Sequence, residues 1–295
     1  IVLGMTFHSC LDLEPQDQLG GKNMWTSVND YKQFANTFYS WTRDFSSVVY
    51  DGTHSDKRSD LITYQSYNEF SRGINSIPSS DANYTDNYKH IRRTNLLLQN
   101  AEAYAKPEDI KQYIGEAYFF RAYSYFDLLQ LYGDVIITKK PLDITDPEMK
   151  VKRNDRSEVV DLNLPAFKEL TTEEEGRISK EGAQAFLSRV ALYEGTWQKS
   201  RNGNQNTQRS ANLLDIAAKA ARTVIDAKYG YTFRLFGTDS ETKILGDSAQ
   251  KYMFILENEK SNPAGIKKSS NHEYIFARRH DQVLASIGKN ITQEC

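Results

Sequence analysis

The stretch from Tyr113 to Val135, YIGEAYFFRAYSYFDLLQLYGDV, decides the fold. Ahead of it stand Pro107, Glu108 and Asp109, a proline suited to a first helical position and acids where the helix dipole favours them. Gly133-Asp134 closes it as a C-terminal stop. Between these signals Gln112, Glu116, Tyr123, Asp127 and Gln130 fall on one stripe at 3.6 spacing, while Ile110, Ile114, Ala117, Phe119, Phe120, Ala122, Tyr125, Phe126, Leu128 and Leu129 fill the rest. An apolar surface that wide needs cover on more than one side, so this is expected to be a central helix. Arg121 breaks the pattern, because it lies in line with Ile114, Ala117, Tyr125 and Leu128. Its stem is expected to be buried and its head paired with a carboxylate or with several carbonyls, in a structural role, with a ligand contact as the alternative.

Working outward, the chain has 295 residues, a net charge of −2 and no basic stripe, so nothing in it suggests nucleic-acid binding. Its 18 tyrosines exceed its 14 phenylalanines, which suits surfaces that are part apolar and part hydrogen-bonding. Two cysteines at opposite ends, Cys10 and Cys295, form neither a disulfide framework nor a metal-ligand spacing. No apolar run reaches the length of a membrane-spanning helix. IVLGMTFHSC, residues 1–10, reads as the remnant of a signal peptide ending in a small residue and a cysteine that would be the first mature residue and a lipidation site. Residues 11–21 read as a tether.

A first helix is expected from Asn23, capped by Thr26 or Ser27, with Val28, Tyr31, Phe34, Ala35, Phe38 and Trp41 at helical spacing. Polar loops are read over residues 52–60 and 71–86, and the next helix over Tyr84 to Tyr104. After the central helix, Ile136 to Leu142 is expected to be extended and Asp143 to Asp155 a charged connection. Further helices are read from Ser157 to Leu170, kinked at Pro165, from a Ser179 cap to about Lys199, and from a Ser210 cap to Tyr229-Gly230. Ser188, Ala191 and Gly195 form a small-residue ridge where another helix can approach closely. Paired helices joined by loops, none able to bury its face alone, follow the logic of tetratricopeptide-like hairpins. The last 60 residues change character: Ile244 to Leu256 is ambiguous and Glu273 to Ala277 is strand-like.

No catalytic or cofactor motif is present: the chain lacks HExxH, GxSxG, a glycine-rich phosphate loop and CxxC. No cofactor, metal or enzymatic activity is expected. Two polar stretches, Tyr50 to Asp60 and Asp81 to Asn87, carry Tyr50, Asp56, Arg58, Asp60, Asn83, Tyr84 and Asn87. An aromatic plate with Asp, Asn and Arg around it is what binds sugar rings and hydroxyls, so these seven residues are candidate ligand contacts. Tyr84 in particular is expected to point off a helix start into solvent.

GEAYFFRAYSYFDLLQLYGDV, followed by Ile136-Ile137-Thr138 and Pro141-Leu142-Asp143, resembles the signature of the SusD/RagB family of outer-membrane nutrient-uptake lipoproteins of Bacteroidetes. Cys10-Leu11-Asp12-Leu13-Glu14-Pro15 resembles that family's lipidated start, Asn23-Met24-Trp25-Thr26 the opening of its first helix, Ser59-Asp60 its loop motif, and Tyr88, Ile91 and Asn95 its next helix. Ile136 stands where the family usually has proline. The resemblance implies a mainly α fold, a tetratricopeptide-like right-handed superhelix with a loop-rich binding face. On it, residues 1–9 are a signal-peptide remnant, 10–22 a lipidated tether, 23–235 the helical region and 236–295 the start of a truncated C-terminal region. It further implies a surface-exposed lipoprotein, anchored through Cys10, that binds oligosaccharide or peptide. The partner implied is a SusC-type TonB-dependent β-barrel. The residues alone leave open a soluble helical scaffold that binds only protein.

Overall fold

The structure is a computed structural model that describes residues 24–43, 69–70, 72–167, 170, 176–201, 207–255, 265–266 and 270–276. Cys10, Tyr50, Asp56, Arg58 and Asp60 lie outside the described residues. Seven α-helices follow one another among those described: α1 (Val28–Asn36), α2 (Ala82–Glu102), α3 (Lys111–Tyr132), α4 (Arg156–Asn163), α5 (Lys180–Arg201), α6 (Thr207–Ile225) and α7 (Ala249–Ile255). No strand occurs among them, and Val135 and Asn154 form an isolated antiparallel bridge.

Local chemistry sets the helix ends. Ser27 and Asp30 form a reciprocal capping box at α1, satisfying two orphan donors at once. Asp81 caps α2 through the backbone N–H of Asn83. Helix α3 is preceded by a 3-10 turn, Pro107–Ile110, and stops at Gly133, whose φ of 72° is a left-handed value that glycine adopts at little cost. The helix read over residues 157–170 is α only to Asn163 and continues as a 3-10 turn, Leu164–Phe167, because Pro165 has no N–H for the α ladder. Its cap is Asp155, whose side chain accepts from the Ser157 N–H. Of the strand-like run at 273–277, the described residues 273–276 form no strand.

Helix α3 is the central element. Ala117, Phe120, Tyr125 and Leu128 are buried in one cluster with Tyr31 and Phe38, with Ile91 and Leu97 of α2, and with Val159 and Phe186 from the following helices. Its sequence therefore packs on several sides, as its breadth of apolar residues requires. Helices α5 and α6 form a close hairpin on the small-residue ridge. A Cβ at Gly195 would come within 3.1 Å of Leu214, tighter than ordinary contact. Ser188 Oγ donates to the Ala217 carbonyl at 2.9 Å and Ser210 Oγ to the Gly195 carbonyl at 2.8 Å. Ser210 is thus an inter-helix clasp inside α6, not its cap. Phe236, Leu245 and Ile266 form a separate small cluster with Ala249, Tyr252 and Met253.

The polar residues of α3 meet partners from distant segments. Its polar stripe carries a buried carboxylate. Glu116 is fully buried and receives both Nε and Nη2 of Arg177 at 2.7 and 2.6 Å, with Gln112 donating at 2.8 Å. Burial pushes the Glu116 carboxyl above the usual range, and the Arg177 fork opposes that shift. Further along, Asp127 pairs with Arg43 and accepts from Asn87. Arg121 is buried as expected, but the acceptor it meets among the described residues is the Asn95 side-chain oxygen at 2.9 Å, with the Tyr118 ring 5.0 Å away. Asn95 passes the connection on by donating to the Thr138 and Lys140 carbonyls. Among the described residues, the buried carboxylates Glu116 and Glu194 pair with Arg177 and Arg156, whereas Arg121 meets an amide.

Candidate functional site

A cleft of about 400 Å³ opens between α2 and the segment that follows α3. Its helical wall is Tyr84, Thr85, Tyr88, Lys89 and Arg92, residues that share a face at 3- and 4-residue spacing. The facing wall is Ile136, Thr138, Lys140 and Leu142, every second residue of an extended run. A 3-10 turn, Pro147–Lys150, supplies Glu148 and Met149 to the rim. The walls are joined by hydrogen bonds: Tyr88 Oη donates to the Ile136 carbonyl at 2.9 Å and Arg92 Nε to the Leu142 carbonyl at 3.4 Å. Burial holds the Tyr88 phenol well above its ordinary range. A second cleft, of about 630 Å³, shares Lys140 and Glu148 and adds Asn154, Glu158 and Asp161.

Of the seven candidate ligand residues, Tyr84 alone among the described ones lines the first cleft. It does not stand free before the helix. It occupies the first turn of α2, half-buried, with its ring 4.8 Å from Tyr88 and 5.2 Å from Tyr132. The cap at Asp81 starts the helix earlier than the loop reading allowed, and that turns Tyr84 sideways onto its neighbours. Asn83 donates its side-chain N–H to Asp81 Oδ1 at 3.0 Å. Asn87 is buried and donates to the Asn83 carbonyl and to Asp127 Oδ2, at 2.8 and 3.2 Å. The structure therefore separates Asn87 from Tyr84: the tyrosine faces the cleft, the amide faces Asp127. On that other side Trp41 stacks on His90 at 4.1 Å and 15°, and burial lowers the His90 pKa to about 4.

Tyr88, Arg92, Lys140 and Met149 were not among the candidates. A signal for them exists, since 84-88-92 is a helical stripe and 136-138-140-142 an extended one, but only the fold brings the two stripes face to face. No group of three metal-ligating side chains occurs among the described residues. Aromatic faces, aliphatic walls and long cationic donors thus surround an open cleft on a scaffold of paired helices.

Residues 11–192 match the SusD-like family described as starch-binding associating with outer membrane, and the chain belongs to that family. SusD-like protein P38 of Formosa agariphila is 27% identical over 208 residues, covering 63% of this chain and 39% of that protein. A SusD-like protein of Bacteroides fragilis superposes with a TM-score of 0.60 at 20% identity, over 90% of this chain and 47% of that one. A second Bacteroides fragilis structure, described as a SusD-like carbohydrate binding protein, gives a TM-score of 0.52 at 19% identity, over 74% and 43% of the two chains. The chain thus spans less than half the length of these relatives, and the likeness to the solved structures establishes the fold.

Proposed function

We propose that this chain belongs to a non-catalytic outer-membrane lipoprotein that captures oligosaccharides, or peptides, at the cell surface and delivers them to a SusC-type TonB-dependent transporter. The observation that carries the binding half of this reading is the cleft in which Tyr84 and Tyr88 face Ile136 and Leu142. Such a cleft offers an aromatic plate and aliphatic walls to the C–H face of a sugar, with charged donors at its rim. Family membership over residues 11–192 supports the rest. Residues 1–9 are then a signal-peptide remnant, Cys10 the lipidated residue, 10–22 its tether, 23–235 the helical binding region and 236–295 the beginning of a further region. Tyr50, Asp56, Arg58 and Asp60 remain candidates to complete the ligand face.

The binding reading is tested by titrating Tyr84→Ala and wild type against a panel of oligosaccharides. Ring stacking contributes roughly 0.5–1.5 kcal/mol beyond area burial, so affinity should fall about threefold to tenfold. Because Tyr84 also packs on Tyr132, a small drop in melting temperature should accompany it. Unchanged affinity would move the site away from this cleft. The anchor is tested in the native host: Cys10→Ala should release the protein from the membrane fraction, and retention after a carbonate wash would remove the lipoprotein reading.

A further inference from the structure

We propose that the cleft beside Tyr84 takes an anionic glycan, one that carries uronate carboxylates or sulfate esters. This rests on the reading of the cleft as a glycan site and names the class of glycan. The argument is the balance of donors and acceptors on its walls. Three cations line it, Lys89, Arg92 and Lys140, against one carboxylate, Glu148. No asparagine or glutamine is among its lining residues. A neutral sugar hydroxyl both donates and accepts, and it is best met by amides and carboxylates as well as by cations. Of the lining hydroxyls, Thr85 donates to the carbonyls of Asp81 and Ala82, Tyr88 donates to that of Ile136, and Thr138 pairs with Tyr125, which leaves the Tyr84 phenol as the hydroxyl turned to a ligand. Among the side chains that line the walls, N–H donors on positive charge outnumber carboxylates, and they match an oxyanion, although Asp86, Asp143 and Asp146 pair with them from outside the lining.

The present partners of those cations are exchangeable. Lys89 lies 2.7 Å from Asp86 and Arg92 3.9 Å from Asp143, and Lys140 lies 3.0 Å from Glu148 and 3.4 Å from Asp146. The three cationic side chains are between 51% and 71% exposed, and ion pairs that open to water are held weakly. A ligand anion entering over Tyr84 can replace a distant or solvated carboxylate without leaving a buried charge alone. The stripes also space the charges: Lys89 and Arg92 sit on the helical wall and Lys140 on the extended wall opposite. An acidic sugar ring between the walls meets a cation on either side while its C–H face lies on the tyrosine.

The test titrates the chain by calorimetry with three probes: an oligoguluronate, a sulfated galactan oligosaccharide and a neutral gluco-oligosaccharide. One of the two anionic probes should bind more tightly than the neutral one, and that preference should shrink as salt rises and screens the exposed charges. Which anionic probe binds assigns carboxylate or sulfate as the group recognised. Arg92→Gln and Lys140→Gln should each weaken anionic binding about tenfold, the scale of losing a hydrogen bond to a charged group. Equal or tighter binding of the neutral probe, without salt dependence, overturns the inference and leaves the glycan reading standing. Anionic binding that neither variant weakens overturns it too. Binding of none of the three defeats both.

Discussion

Glu116→Leu should lower the unfolding free energy by about 3–5 kcal/mol, the usual cost of removing one partner of a buried ion pair. Glu116 is fully buried on the polar stripe of α3, and Arg177 is nearly so, with 8% of its side chain exposed. Arg177 is held on three sides. Its Nε and Nη2 reach the two carboxylate oxygens, its Nη1 donates to Asn36 Oδ1 at 2.6 Å, and its guanidinium lies over the Tyr39 and Tyr113 rings. Leucine at 116 leaves that cation without its counter-charge in a place largely closed to water. Most of the loss comes from that orphaned charge, so Glu116→Leu combined with Arg177→Met should recover much of it. Urea-unfolding midpoints of the three variants against wild type measure both effects. A single variant that unfolds with the wild type would mean that the pair is solvated. The pair ties Arg177, three residues ahead of α5, to α3 across 61 positions of sequence, and Arg177 also holds Asn36 of α1, so the same variant should loosen those elements first.

Phe120→Ala should be comparably damaging, about 3–5 kcal/mol, for a different reason. Phe120 is fully buried and its ring centroid lies within 6 Å of those of Phe38, Tyr39, Trp41 and Phe119. Removing the ring deletes buried apolar surface and leaves a cavity whose walls are themselves rigid aromatics, which cannot collapse inward. Phe120→Leu, keeping most of the volume, should cost markedly less. Unfolding midpoints again decide the matter, and equal destabilisation by alanine and leucine would show that shape rather than volume is what the site requires. Neither Phe120 nor Glu116 lines the clefts. Glycan affinity of the surviving folded fraction should therefore stay near wild type, which separates these two variants from Tyr84→Ala.

What the sequence determined by itself was the existence and order of the helices α1 to α6, though not the starts of α2 and α6. Capping and stop residues are local chemistry: Ser27 with Asp30, Pro107, Gly133 and Pro165 act on backbone groups a few positions away, so their effects are legible along the chain. The breadth of apolar residues from Ile110 to Leu129 forced α3 into the centre for the same reason, since a helix cannot hide that surface from water alone. The ridge of Ser188, Ala191 and Gly195 likewise announced a close helix neighbour before the neighbour was known. The tertiary structure alone decided what the polar residues do. Glu116 and Arg177, or Asn87 and Asp127, acquire their roles only when distant segments meet, because the cost of burying a charge or an amide depends on whether a partner lies within hydrogen-bond reach. Arg121 was legible as buried and illegible as the partner of Asn95. Tyr84 was legible as a candidate contact, yet its cleft exists only because the helical stripe through Tyr88 and Arg92 meets the extended stripe through Lys140 and Leu142, and the order of residues along a chain carries no distance between two stripes almost fifty positions apart.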